Sequence, residues 1–193
     1  MIIAGKTHGF SRAPEDWIFL DIGFSSEAKT CGLKIFGEPA RNQSWADACL
    51  EIKNAIRSCK KDINLMIEAP LSVTFNAKNN PVQRSFEKRG KSTRYWYLQG
   101  GVVTLLSAAY LIRQLYDMEE SNIFLFEAFI SFKPQKTDHM DDASLMERGI
   151  VEGASPIGKA DIQMSKEHKI EASIAKFGYS FGVPPVFIFD TQE

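Results

Sequence analysis

The stretch Trp17-Ile18-Phe19-Leu20-Asp21-Ile22-Gly23-Phe24-Ser25-Ser26 places one carboxylate at the end of an apolar run. Four large apolar residues are short for a helix and rich in strand formers, so they predict a strand buried on both faces. A group at the end of such a strand lies where open α/β sheets bind ligands. Buried and ionised, Asp21 needs a partner such as a metal ion or donors from the loop. Asp21 therefore either belongs to a site or only caps the following turn.

The segments around this strand predict an α/β fold with a central mixed β-sheet flanked by helices. Residues 30–36 partly alternate between apolar and polar and predict a hairpin partner for the first strand. Apolar residues at steps of three and four predict amphipathic helices, and continuous apolar runs predict buried strands. The helices are expected near residues 44–60, 99–117 and 140–149, and the strands at 63–67 and 123–130.

Length and composition favour one domain. A chain of 193 residues with 44% hydrophobic content can bury one sizeable core. We expect a single domain over 1–193, with a core at about 16–150 and a C-terminal extension at 151–193. Within the extension, the mixed-charge stretch 166–176 is compatible with a helix, and the apolar run 183–189 predicts an added edge strand.

Charge and cysteine content limit the environment and the partners. A net charge of -1 gives no global attraction to nucleic acid or to an anionic membrane, so any such binding must be local. The longest nearly apolar run, 102–112, is too short to span a bilayer, and no signal-peptide pattern is present. Cys31, Cys49 and Cys59 have no metal-binding spacing and suit reduced, inert thiols. The expected location is the cytoplasm, without membrane association.

A second strand, 63–67, also ends on an acid, Glu68, and Pro70 then prevents continuation of a central ladder. If the two strands are adjacent and parallel, Asp21 and Glu68 project at the same edge of the sheet. Paired carboxylates there mean either a raised pKa for acid–base chemistry or a divalent cation between them.

Two further groups of candidates follow. Glu127 lies inside the apolar strand 123–130, where a buried acid is costly unless paired. It is either a third member of the acidic cluster or a salt-bridge partner of a loop arginine. Residues 137–145 predict a helix start crowded with acids, which the helix dipole favours. His139 and Asp142 lie one turn apart there, so they could also face the sheet edge together.

The irregular stretch 73–97 is rich in basic and aromatic residues. Its basic residues are Lys78, Arg84, Lys88, Arg89, Lys91 and Arg94, and its aromatic residues include Phe86, Tyr95, Trp96 and Tyr97. Arginines for phosphates and aromatic planes for bases are typical of a sequence-tolerant nucleic-acid surface. The alternative is a solvated loop whose aromatic residues enter the core. Arg84 has a rival assignment, because it could pair with Glu87 or with Glu127.

These motifs, in this order within residues 16–150, resemble an uncharacterised prokaryotic family of predicted nucleases with an RNase H-like fold of the RuvC type. The matching segments are Glu68-Ala69-Pro70-Leu71-Ser72, Arg84-Ser85-Phe86-Glu87, Glu127 and His139-Met140-Asp141-Asp142-Ala143. They follow a first strand that ends in Asp21, a hairpin and a helix.

The resemblance implies a metal-dependent nuclease that cleaves phosphodiester bonds by a two-metal mechanism. Asp21, Glu68 and Asp142 would hold two divalent cations, with Asp138, His139 or Asp141 helping. Carboxylate ligands favour Mg²⁺ or Mn²⁺. The implied partner is DNA or RNA, including structured substrates, contacted by Arg84, Lys88, Arg89 and Arg94. Resolvases of this fold act as dimers, so the resemblance adds a homodimer to the partners considered.

Two other functions compete with the nuclease. Asp21-Ile22-Gly23-Phe24-Ser25-Ser26 also resembles the phosphate loop of the actin and sugar-kinase superfamily, although those proteins close two domains over the nucleotide. The other alternative is a non-catalytic binding module with an RNase H-like fold.

Overall fold

The computed structural model of the chain describes residues 1–24, 30–94, 100–118, 121–130, 132 and 137–189. Its strands are β1 (Ile2–Ala4), β2 (Trp17–Asp21), β3 (Cys31–Ile35), β4 (Arg41–Gln43), β5 (Ile63–Glu68), β6 (Ser72–Phe75), β7 (Pro81–Val82), β8 (Lys88–Arg89), β9 (Ser92–Thr93), β10 (Ile123–Phe129), β11 (Lys169–Ala172) and β12 (Val186–Ile188). Its α-helices are α1 (Trp45–Ser58), α2 (Gly100–Tyr116), α3 (His139–Glu152) and α4 (Lys159–Ile162), and 3-10 turns lie at Pro14–Asp16 and Ser173–Phe177.

The central sheet is mixed. Its strand order is β4-β3-β2-β5-β10-β1, and β12 also pairs with β10. Strands β2, β5 and β10 run parallel, while β3 is antiparallel to both β2 and β4. The expected α/β architecture with a central mixed sheet is confirmed. We call the edge at which β2, β5 and β10 end the carboxyl edge.

Helices cover both faces of the sheet. Ile18, Leu65 and Leu125 belong to a core cluster that includes the buried faces of α1 and α2. Trp17 and Phe126 belong to a second cluster, which includes Ala143, Met146 and Ile150 of α3. Because successive strand residues point to opposite faces, this division tells which helix each strand residue meets. Asp21 and Glu68 thus face α3, and Glu127 faces the α1 and α2 side.

The helices begin and end close to the predicted positions. Ser44 caps α1 by accepting a hydrogen bond from the backbone N–H of Asp47. Helix α3 runs to Glu152, three residues further than expected, and ends at Gly153 with a left-handed φ of 105°. Glycine adopts that conformation without a Cβ clash and stops the helix there.

The stretch after β5 and the C-terminal extension combine in a second, three-stranded sheet of order β11-β6-β7. Residues 166–176, which are compatible with a helix by sequence, instead contain strand β11 and most of the Ser173–Phe177 turn. Strand β11 pairs antiparallel with β6, which buries Ile170 and Ala172 on alternate positions. The predicted added strand is present as β12.

All three cysteines are free, and Cys31 and Cys49 are buried. Burial raises the pKa of both thiols, that of Cys49 to about 11, so neither forms a nucleophilic thiolate near neutral pH. No helix among the described residues is both long enough and apolar enough to cross a membrane.

Candidate metal centre

Strand register brings the first two predicted acids together. Asp21 and Glu68 are direct partners in the parallel pairing of β2 and β5, and both lie at the carboxyl edge. Their side chains share the face covered by α3, since paired residues of neighbouring strands point the same way. Asp21 is 1% exposed, whereas Glu68 is half-buried.

The third acid comes from the start of α3. Asp138 caps this helix, and its carboxylate accepts a hydrogen bond from the backbone N–H of Asp141 at 2.8 Å. His139 is the first helical residue, and Asp142 follows one turn later on the same face. The cap fixes where the helix begins and therefore which side chains point at the sheet.

Three side chains converge between β2 and α3. The Nδ1 atom of His139 lies 2.7 Å from Oδ2 of Asp21. Asp142 is 2% exposed, and its Oδ1 accepts a hydrogen bond of 2.7 Å from the Thr137 hydroxyl. One potential ligand atom each from Asp21, His139 and Asp142 lies within 4.8 Å of the others. The imidazole is 42% exposed, so it forms the solvent side of this centre.

Two glycines allow α3 to approach the sheet this closely. A Cβ at Gly32, which pairs with Asp21, would lie 1.7 Å from the backbone carbonyl oxygen of His139. A Cβ at Gly23 would lie 2.2 Å from the His139 Nε2 atom. A side chain at either position would push His139 away from Asp21. The role of Gly32 has no signal in the local sequence, because it depends on how α3 packs on the sheet.

The donor set suits a divalent cation. Two carboxylates supply the oxygen ligands that Mg²⁺ and Mn²⁺ take, and the imidazole adds a nitrogen that transition metals accept. The three donors come from two elements that the capping box and the glycines hold in place. The same geometry also permits an Asp21–His139 pair in which the carboxylate orients the ring.

Two residues predicted as ligands lie elsewhere. The Asp138 carboxylate serves as the α3 cap, so it is turned toward the helix backbone. Glu127 points to the opposite face of the sheet, and its Oε1 accepts a hydrogen bond from Arg84 at 2.6 Å. The prediction of Glu127 as a third acid of the cluster is therefore corrected, and its alternative as a salt-bridge partner is the one observed. Glu68 lies beside Asp21 but outside the three-residue cluster.

Arg84 does not lie on a nucleic-acid surface. Its side chain is 1% exposed and pairs with both Glu87 and Glu127. A guanidinium this deeply buried cannot reach a phosphate, so the prediction of Arg84 as a phosphate contact is corrected in favour of its rival assignment.

The other predicted contacts lie in a β-hairpin formed by β8 and β9, which turns at Gly90 with φ 58°. Lys88, Lys91 and Arg94 are exposed there, and the backbone of Arg89 belongs to β8. We call residues 87–94 the basic hairpin. The predicted aromatic partners Tyr95, Trp96 and Tyr97 lie outside the described residues, as do Ser25 and Ser26 of the phosphate-loop alternative.

Comparison of the chain with known protein families, with curated proteins and with solved structures gives no match. The geometry of the centre therefore carries the functional inference.

Proposed function

We propose that the protein is a divalent-metal-dependent nuclease with an RNase H-like fold that cleaves phosphodiester bonds in nucleic acid. The observation that carries this proposal is the convergence of Asp21, His139 and Asp142 within 4.8 Å at the end of a buried strand. Glu68, the direct neighbour of Asp21, extends the acidic centre across the next strand.

The order of elements supports the fold assignment. The resemblance rests on a strand ending in Asp, a hairpin, a helix, a strand ending in an acid, and a helix that begins with His-x-x-Asp-Ala. The chain has these elements in that order as β2, β3, α1, β5 and α3. Strands β2 and β5 are neighbours and run parallel, which is the arrangement that brings two strand-end acids to one edge of the sheet.

Asp21 and Asp142 would hold the cation, with His139 as a nitrogen ligand and Glu68 in reach of a second ion. Divalent cations in such sites activate water and stabilise the leaving oxygen of an in-line phosphodiester cleavage. Mg²⁺ and Mn²⁺ are the ions that a carboxylate-rich site favours.

His139 has a second role open to it as a proton carrier. When its Nδ1 donates to Asp21, the neutral ring presents Nε2 as an acceptor. The ring is partly exposed while Asp21 is buried, so the pair connects solvent with the acidic centre. Asp21 would then orient the ring, much as carboxylates orient histidines in other sites.

The basic hairpin supports nucleic acid as the substrate. Its exposed cations Lys88, Lys91 and Arg94 supply a local positive charge that the overall net charge of -1 does not. Such contacts recognise the phosphate backbone and carry no sequence preference of their own.

The proposal is tested by metal binding and by cleavage. The purified protein is titrated with Mn²⁺ and Mg²⁺ by calorimetry, then incubated with labelled single-stranded, duplex, hybrid and branched substrates. We expect Asp21→Asn and Asp142→Asn to remove both metal binding and cleavage. The matched control is Asp117→Asn, which makes the same charge change at an exposed residue after α2, outside the cluster.

Cleavage that survives Asp21→Asn would overturn the proposed mechanism. Metal binding by the wild-type protein without cleavage of any of the four substrates would favour the non-catalytic binding module.

A further inference from the structure

A buried polar network lies at the carboxyl edge on the face opposite the metal centre. Arg84, Glu87 and Glu127 are each at most 1% exposed. The guanidinium donates to Glu87 Oε1 through Nε at 3.1 Å and Nη2 at 3.0 Å, and to Glu127 Oε1 through Nη1 at 2.6 Å. Its Nη1 also donates to the hydroxyl and the carbonyl of Ser72. We call Arg84, Glu87, Glu127 and Ser72 the Arg84 network.

The network holds its members firmly because each buried charge depends on the others. Glu127 Oε2 accepts hydrogen bonds from the Leu71 backbone N–H at 3.0 Å and from the Ser72 hydroxyl at 3.2 Å. Removing one partner of such a buried pair leaves an uncompensated charge, which is strongly destabilising. The loop that contains Arg84 therefore has one favourable position against β10.

The same network fixes the base of the basic hairpin. The Arg84 backbone N–H donates to Glu87 Oε2 at 2.8 Å, and the Glu87 N–H donates back to the Arg84 carbonyl at 3.2 Å. The hairpin closes immediately after this turn, where the Arg94 N–H donates to the Glu87 carbonyl at 2.8 Å. Glu87 is thus both a member of the network and the first residue of the hairpin.

Neighbouring contacts reinforce this base. Ser85 donates through its backbone N–H to the Ile162 carbonyl and through its hydroxyl to the Asp161 carbonyl. The Phe86 ring packs against Phe129, with 4.8 Å between the ring centroids. The base of the hairpin is therefore attached both to α4 and to the end of β10.

We propose that Arg84, Glu87 and Glu127 are positioning residues that hold the basic hairpin at the carboxyl edge as an arm for a nucleic-acid backbone. None of the three contacts the polyanion, and the contacts come from the exposed cations that follow Glu87. This inference rests on the proposed function and adds which segment of the chain holds the substrate.

Two variants that each keep part of the Arg84 network test the arm, and both are assayed well below their melting temperatures. At pH 8, where Glu127 is ionised, Glu127→Gln keeps the shape of the side chain and removes the charge opposite Arg84. Ser72→Ala removes a hydroxyl that accepts a hydrogen bond of 2.8 Å from Arg84 and donates one to Glu127. The control is Ile56→Val, which lowers stability by trimming the core under α1, away from the network.

The first measurement follows the hairpin itself. Trypsin cleaves after Lys and Arg, and the exposed Lys88, Lys91 and Arg94 make the hairpin a substrate once its base loosens. We expect cleavage between residues 88 and 94 to accelerate about tenfold in both network variants, the change expected when one charge-assisted hydrogen bond is lost. In Ile56→Val the cleavage rate in this segment should match the wild type.

The second measurement follows the polyanion. Binding of labelled duplex and single-stranded DNA is measured across a salt series with EDTA present, well below the melting temperature of each variant. We expect the slope of log affinity against log salt to fall by about 2 in the network variants, as for two or three lost phosphate contacts. Ile56→Val should keep the wild-type slope.

The outcomes separate the two proposals. An unchanged slope in both network variants overturns the positioning role and leaves the metal-dependent nuclease untouched. Absence of salt-dependent binding by the wild type overturns the arm together with nucleic acid as the substrate. Loss of cleavage in Asp21→Asn with a wild-type binding slope supports the nuclease, and a lowered slope in the network variants but not in Ile56→Val supports the positioning role.

Discussion

The first residue of α3, His139, is tied to the last residue of β2, Asp21, by a contact of 2.7 Å that spans 118 positions of sequence. This one contact joins a strand end to a helix start, and it places the half-exposed imidazole over a carboxylate that solvent barely reaches.

The identity of the cation depends on whether His139 is a ligand. Transition metals accept imidazole readily, whereas Mg²⁺ takes oxygen ligands. We therefore expect His139→Ala to weaken Mn²⁺ binding about 10- to 100-fold and to change Mg²⁺ binding much less. Melting temperatures measured across a concentration series of each ion give both affinities. His8→Ala, at an exposed position, is the control. Equal losses for the two ions would mean that His139 orients Asp21 instead of binding the metal.

Gly32 is required for the approach of α3 to the sheet. A Cβ at this position meets the His139 carbonyl oxygen, a backbone atom that cannot move without the helix. Gly32→Ala should lower the free energy of unfolding by about 1–3 kcal/mol, as overpacking does, and should also weaken Mn²⁺ binding. Gly100→Ala, where a Cβ meets nothing within 4 Å, should change neither quantity by a comparable amount. Chemical denaturation and calorimetric titration measure the two effects.

The stability of the fold should depend on pH through Glu127. Burial raises the pKa of Glu127 to about 7 even though Arg84 opposes the shift. Between the ordinary value of 4.5 and about 7, the folded protein holds a proton that the unfolded chain has lost. The contribution of this proton to the free energy of unfolding is therefore complete below pH 4.5 and disappears as the pH rises through about 7. Its upper limit is about 3 kcal/mol.

Melting temperatures from pH 5 to 8 test this dependence. We expect the melting temperature of Glu127→Gln to fall less between pH 5 and 8 than that of the wild type. The variant is less stable throughout this range, because glutamine has one acceptor oxygen for the N–H groups of Arg84 and Leu71, where glutamate has two. Asp16 and Glu51 have lowered pKa values, so their contributions are lost only at lower pH and do not mask the effect. A decline as steep as that of the wild type would contradict the assignment to Glu127.

The exposed cations of the basic hairpin should set the salt dependence of nucleic-acid binding. Each phosphate contact contributes about 0.9 to the slope for a duplex and about 0.7 for a single strand. Replacing Lys88, Lys91 and Arg94 with alanine should therefore lower the slope by about 2–3 and leave Mn²⁺ binding intact. Fluorescence anisotropy across a salt series measures the slope.

The matched control for this variant removes three exposed cations elsewhere, at Lys6, Arg57 and Lys60. The net charge changes equally in both triple variants, so only a local role distinguishes them. Equal slopes for the two variants would contradict a binding role for the hairpin.

Much of the candidate centre could be predicted from local sequence. Asp21 and Glu68 follow apolar runs, and His139 and Asp142 share one face of a helix start. Each signal lies within a few residues, so strand and helix rules are enough to find it. The adjacency of β2 and β5 could only be assumed, because pairing between strands more than 40 residues apart has no local signature.

The roles of Arg84 and Glu127 could not be decided in the same way. Arg84 stands among polar and basic residues, so the composition of this segment indicates a solvated loop. One of its two carboxylate partners, however, lies 43 positions away. The face that Glu127 occupies depends on which side of the sheet receives α3. The strand within 166–176 was hidden for a similar reason, since β11 forms by pairing with β6, about 95 residues earlier in the chain.

The span of the Asp21–His139 contact also bears on the order in which the chain folds. Contacts that are distant in sequence carry a larger loop-closure cost and tend to form after local ones. The β2–β3 hairpin can pair early, whereas α3 docks only after the chain through Asp142 has been made and the sheet is present. A chain still leaving the ribosome therefore carries Asp21 without its helix partners, and the complete cluster arises only as the fold closes.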